Sequence, residues 1–395
     1  MADPFNFDQI INRRSVPALK VHPMVLGDDG TDLFAAGVAD MDFLAPQPVL
    51  DAISQRLAHG VFGYETVPEG LMPALTEWVK TRHAWDIDTN HILRAPNVLN
   101  SLSMAVNLFS DPGDAIIVQP PVFFDFADII AENDRRMIEN PLVLSSARYE
   151  LDFEGLDVCA ADPRTKILFL CNPHNPVGRV WSKEELTKLG SICRKHGVLV
   201  VSDEIHGDIT FSEHSYTPFA SVSHADALNS VTCLSSAKSF NIAACCAAFT
   251  VVPDEQRRRA FQTENSRLTV NKNNAFASIA MQAAYTHGAP WLDTVMNYIE
   301  GNLALVRTRL ANLPDVNLIE PEGTFLLWLD FRSLGMAQDD LTQFLRRDAG
   351  WAITRGISFG ASGEGFGRLN IACPRASLEH ALDTLENALT KQIGL

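Results

Sequence analysis

No apolar run in this 395-residue sequence reaches membrane-spanning length. The N-terminus, MADPFNFDQI, has neither a basic segment nor an apolar stretch, so it does not read as a signal peptide. Basic residues are scarce: 32 Lys and Arg stand against 48 Asp and Glu, a formal net charge of −16. That balance argues against nucleic acid or an anionic membrane as a partner. It says little about a small substrate, because a local pocket can be basic inside an acidic protein. The seven cysteines are scattered, odd in number and without a C-x-x-C pair, which gives no disulfide framework and no metal site. Several lie in apolar runs, where a buried reduced thiol is the ordinary reading and a reducing cytoplasm the expected compartment. Internal repeats, low-complexity tracts and a charged tail are also lacking.

What is present is an ordinary globular composition, 46 % hydrophobic and 20 % charged. The length exceeds one simple core and predicts subdomains. Short apolar runs at Ala115–Val118, Ile167–Leu170, Val198–Val201 and Val231–Leu234 suit strands buried on both faces of a largely parallel sheet. Between two of them, Ser182 and Glu185 form a capping box, Leu186, Leu189 and Cys193 share a face, and Gly197 can close the helix. Strand, helix and strand make a right-handed crossover. The last third reads as a long helix at Trp291–Leu313, a strand at Thr324–Leu329 and a final helix at Leu378–Leu389. The expected division is an N-terminal arm with part of a small domain (1–45), a large domain (46–285) and a C-terminal small domain (286–395).

Chemistry-bearing residues follow the strands. After Leu170 comes CNPHNPVG, after Val201 SDEIHGD, and after Leu234 SSAKSFN. Ligands of open α/β sheets bind beyond the carboxyl ends of the strands, so Asn175, Asp203, His206, Ser235 and Lys238 are expected to converge in one crevice. Each is weak evidence alone: Asp203 also suits a helix N-cap and Asn175 a turn between prolines. The ordered set is specific.

With GVADMDF (37–43), FGYE (62–65), NPHNPVGRVW (172–181), SDEIHGDI (202–209), SSAKSFNIA (235–243), EGTFLLWLD (322–330) and GRLNIACPR (367–375), the chain resembles fold-type I enzymes dependent on pyridoxal 5′-phosphate (PLP), nearly end to end. More narrowly it resembles the MalY/PatB group of cystathionine β-lyases, or C–S lyases. The resemblance implies an α/β fold with a mostly parallel central sheet and a smaller α+β domain. It implies PLP held as a Schiff base on Lys238, which then serves as the base for the Cα proton. Asp203 would pair with the pyridine nitrogen and Asn175 with the phenolic oxygen. For His206, a direct contact and a place behind the site are equally compatible with the sequence. The phosphate would take the helix N-terminus at Val98 and Leu99, Ser235, and Tyr64 from a neighbouring subunit, making a homodimer with shared sites. Phe123 would stack on the ring, and Arg368, with Arg375 as competitor, would grip the substrate carboxylate. Three positions depart from the common pattern: Phe123 for tyrosine, Asn97 for glycine before the phosphate helix, and Cys246 where many aminotransferases carry an arginine. The lyase group tends to lack that arginine too. The expected reaction is β-elimination from an L-cysteine S-conjugate such as cystathionine. Transamination is the alternative, and a regulatory binding role with little turnover is a third.

Overall fold

The computed structural model describes residues 5–27, 30–270 and 272–393; of the N-terminal arm, residues 1–4, 28 and 29 lie outside that range. Seven strands form the central sheet: β1 (Ile92–Ala95), β2 (Ala115–Val118), β3 (Arg136–Glu139), β4 (Thr165–Cys171), β5 (Leu199–Asp203), β6 (Ser230–Leu234) and β7 (Ala248–Val251). Their order is β1-β7-β6-β5-β4-β2-β3, and only β7 runs against its neighbours. The continuous apolar runs have their physical reason here. Every residue of β2, β5, β6 and β7 is buried, as it must be when helices cover both faces of a sheet.

The crossover from β4 to β5 forms as its sequence dictates. Helix α1 (Lys183–His196) opens with a complete capping box between Ser182 and Glu185 and closes on Gly197 in the left-handed region. Its buried face is Leu186, Leu189, Gly190 and Cys193. Each fully buried leucine is worth roughly 1.5–3 kcal/mol relative to exposure.

A second sheet carries β8 (Asn317–Ile319), β9 (Leu326–Asp330), β10 (Thr354–Arg355) and β11 (Phe366–Asn370), antiparallel in the order β8-β9-β11-β10. Helices at Ala289–Leu310, Gln338–Arg347 and Arg375–Ile393 accompany it. The N-terminal arm joins this part by a parallel pairing of Phe34–Ala35 with Trp351–Ala352. The strand expected from Thr324 begins at Leu326 instead. Thr324 has φ of 67°, outside the extended region, and its hydroxyl accepts from the Leu326 N–H. The final helix starts at Arg375, earlier than the apolar periodicity indicates. The long helix ends at Leu310 rather than Leu313.

Strand register brings the site together. Cys171 pairs with Asp203 and Asp203 with Cys233, so β4, β5 and β6 end side by side. The segments that follow them open at one edge of the sheet.

Candidate active site

Beyond that edge lies a cavity of about 310 Å³. Lys238, Asp203, Asn175, His206, Ser235, Val98, Leu99 and Phe123 all line it, with Asn97 and Cys246. Each reaches it for a local reason. Asn175 sits in a turn where His174 N–H donates to the Arg179 carbonyl (2.7 Å) and Gly178 N–H to the His174 carbonyl (2.8 Å). Gly178 has φ of 73°, and a Cβ there would stand 2.8 Å from Pro321. The Lys238 turn is clamped from outside. The Asn241 side-chain amide donates to the carbonyls of Met41 and Phe43 and accepts from Met41 N–H.

The Lys238 ammonium donates to the Ala39 carbonyl at 2.6 Å. Burial and then the Arg368 charge push its pKa down to about 8, against Asp40, Asp203 and Asp125. Asp203 is buried and accepts one hydrogen bond, from Ile205 N–H at 3.1 Å. Burial raises its pKa to about 6. His206 is buried with no partner on Nδ1, and burial, Lys238 and Arg368 hold its pKa well below the usual range, so the ring is neutral. Asn175 accepts from Arg368 Nη1 through Oδ1 (2.8 Å), which leaves its side-chain N–H₂ free to donate.

The phosphate-side residues are arranged as a helix start. Helix α2 (Val98–Phe109) is capped by Asn97, whose side chain accepts from Asn100 N–H at 2.8 Å. The asparagine that departs from the family pattern thus serves as N-cap. The Ser235 hydroxyl donates to the Ala247 carbonyl (2.7 Å) and accepts from Ala237 N–H (3.1 Å).

Two expected residues are not among the cavity lining. Arg368 is buried just behind Asn175, bonded also to the Gly37 carbonyl (2.7 Å) and lying 4.9 Å from the Phe359 ring centre. No carboxylate among the described residues pairs with it, and its Nε is buried without a partner. Arg375 is engaged elsewhere, with Asn302 (3.1 Å) and the Tyr298 carbonyl (3.2 Å). Tyr64 is fully exposed and lines a separate hollow of about 980 Å³ with Arg56, Glu65 and His287. Within one chain it does not meet Lys238.

The pattern of the class I and II aminotransferases matches residues 34–385. The chain belongs to that family. It is 42 % identical over 361 residues to cystathionine beta-lyase PatB of Bacillus subtilis, spanning 91 % of this chain and 93 % of that protein. Protein MalY of Escherichia coli is 32 % identical over 388 residues, 98 % of this chain and 99 % of the other. Cystalysin of Treponema denticola, whose crystal structure contains a PLP cofactor, superposes with a TM-score of 0.94 at 31 % identity, over 98 % of this chain and 99 % of that one.

The cavity fits such a cofactor on its own chemistry. A buried carboxylate with one spare oxygen, a neutral buried imidazole, a free amide donor and a lysine of depressed pKa face one space. The sequence reading overlooked Asp125, which lines the same cavity, and Asp208, which accepts from Trp78 Nε1 (2.8 Å), His83 Nε2 (2.8 Å) and Ser239 Oγ (2.7 Å). Asp208 lies in the SDEIHGD segment. Only its three long-range partners mark it out, and those are invisible without the fold.

Proposed function

We propose that the protein is a PLP-dependent carbon–sulfur β-lyase that cleaves L-cysteine S-conjugates such as cystathionine. The observation that carries this is the convergence of Lys238, Asp203 and Asn175 on one cavity beside Arg368, a buried arginine with no carboxylate partner among the described residues. The 42 % identity to a cystathionine beta-lyase supports the choice of reaction.

When bound, PLP supplies a protonated ring that takes up the electron pair of the Cα–H bond. Asp203, as a carboxylate, would hold the ring nitrogen protonated, and the Asn175 amide, with neutral His206 beside it, would hold the phenolic oxygen. Arg368, whose Nε has no partner among the described residues, would turn toward the cavity to donate to the substrate carboxylate and so orient the Cα–H bond, and orientation is a large part of the barrier. Lys238, with a pKa of about 8, would take the Cα proton, and the overall reaction would break the Cβ–S bond and, with uptake of water, give thiol, pyruvate and ammonia. Val98 and Leu99 N–H groups and the Ser235 hydroxyl would take the phosphate. Ser235 must turn its proton from Ala247 to do so.

The active species is a homodimer, and the cell compartment is the cytoplasm. Tyr64 stands in an exposed apolar stretch with Val61 and Phe62, which a second copy would cover. All seven cysteines are free, and no helix among the described residues is long and apolar enough to cross a membrane.

The test is cystathionine with the purified holoenzyme. Pyruvate and free thiol in equal amounts are expected. A keto acid with pyridoxamine phosphate would replace the lyase with a transaminase, and no product would leave only binding. Sedimentation should show a dimer. Mixed Tyr64→Phe and Lys238→Ala subunits should regain activity that neither parent has, and a fully active monomer would exclude shared sites.

A further inference from the structure

The cavity holds one charged side chain that no step above uses. Asp125 is half-buried and opens the helix Asp125–Glu132, directly after Phe123 and Phe124. Among the described residues its carboxylate accepts no hydrogen bond and forms no ion pair, yet it lines the same space as Lys238 and Asp203. Asp128 lies in the same first helical turn, but it faces solvent. An acid placed only for the helix dipole would do the same.

The remaining charges are already assigned on the lyase reading, on which this inference rests. Asp203 would serve the ring nitrogen, Lys238 the Cα proton, and Arg368 the substrate carboxylate. Asp125 is the charged group lining the cavity that has, among the described residues, no ion pair of its own, with the Lys238 ammonium felt only at a distance. Its neighbour Phe124 is 37 % exposed, with its ring centre 5.0 Å from that of Phe123 and 5.7 Å from that of Phe359. Phe123 lines the cavity with Asp125, and a carboxylate together with an aromatic ring on one cavity wall favours cations on both counts.

We propose that Asp125 sets the choice of leaving group, favouring conjugates whose Cβ-linked thiol carries a positive charge, such as an ammonium. Anionic thiols are disfavoured by the same charge. Burial raises the pKa of Asp125, with Asp128 adding to the effect and Lys238 opposing it, so an incoming cation would relieve a carboxylate that is poorly solvated.

The test uses two substrate pairs on the holoenzyme. S-(2-aminoethyl)-L-cysteine and S-propyl-L-cysteine differ in charge but hardly in shape, and pyruvate release gives kcat/KM for each. L-Lysine and L-2-aminoheptanoate carry a methylene in place of sulfur and cannot lose a thiol. Their Kd is read from the change in cofactor absorbance. The cationic member should be favoured about tenfold in both pairs, the scale of one charge-assisted hydrogen bond. Asp125→Asn should bring both ratios near one, and Asp125→Glu should keep them above one. Equal handling of both members by the wild type, or an Asn variant that lowers both alike, overturns the proposal. Pyruvate without charge preference would sink the role of Asp125 and leave the lyase standing. A lysine preference lost in Asp125→Asn, with no pyruvate from any conjugate, would do the reverse.

Discussion

Asp203 ends a strand and Asp208 follows it in the next segment, the first buried and the second nearly so, yet their surroundings are opposite. Asp208 accepts three side-chain donors, from Trp78, His83 and Ser239. Burial works against its charge, but His83, Ser239 and Trp78 outweigh it and hold its pKa below the usual carboxylate range. Asp203 accepts one backbone N–H, and burial raises its pKa to about 6. The first carboxylate is finished by its own chain. The second, among the described residues, has only the Lys238 positive charge nearby and no direct ion pair. Saturated polar groups build the frame, and unsaturated ones mark where a ligand belongs. Lys238 lies at the border between the two, since its neighbour Ser239 is tied to Asp208 while its own ammonium faces the cavity.

The largest effect should come from the unsaturated side. Lys238→Ala removes the base and should lower pyruvate formation at least about 1,000-fold. Its urea midpoint as apoprotein should move little, because the cost of burying the ammonium offsets its bond to the Ala39 carbonyl. A large loss of stability would mean that Lys238 belongs to the frame. The saturated side should respond in the opposite sense. Asp208→Ala strands a buried imidazole, an indole N–H and a hydroxyl, and should cost about 3 kcal/mol in urea unfolding of the apoprotein. Its pyruvate formation should fall less than that of Lys238→Ala, since Asp208 acts only through the turn that carries the lysine. An unchanged urea midpoint would break the contrast.

Much of this was legible before the fold was known, because the signals are local. The buried strands show as apolar runs, and the capping box of Ser182 and Glu185 needs only four residues. The order of Asn175, Asp203 and Lys238 follows from the rule for strand ends. The overlooked residues have signals that are not local. Asp125 looks like any first-turn helix acid, and nothing in the sequence says that its carboxylate goes unpaired. Asp208 depends on Trp78 and His83, which lie 130 and 125 residues away in the sequence. Thr324 was read as strand because its neighbours are apolar. Its left-handed backbone follows from the approach of Ile209, whose carbonyl accepts its N–H. Tyr64 could be read only through resemblance, because a single chain gives it nothing to touch.

The smallest effect is the most discriminating, because its sign is unusual for a buried polar residue. Asp203 has an ordinary pKa near 3.8 when unfolded and about 6 in the apoprotein. Below the lower value both states are protonated, and the group imposes no charge cost. Between the two values the folded state binds more protons, so stability falls as pH rises. Above about pH 6 the folded protein carries a buried carboxylate and the stability is lost. Asp203→Asn imitates the protonated form at every pH. The apo variant should therefore be more stable than the apo wild type at pH 7.5 and equal to it near pH 4. The gain at pH 7.5 should be about 1–2 kcal/mol, less than the roughly 3 kcal/mol equivalent of that pKa change, in which the Lys238 attraction is already counted, because water entering the apo cavity solvates part of the charge. Thermal midpoints of both apoproteins, taken across that range at one protein concentration, give the difference. Added PLP should reverse the order, raising the wild type more than the variant, since only the carboxylate can hold a ring nitrogen protonated. If Asp203→Asn instead destabilises the apoprotein at pH 7.5 as Asp208→Ala does, the two aspartates are alike, and the carboxylate of Asp203 is satisfied by its own chain.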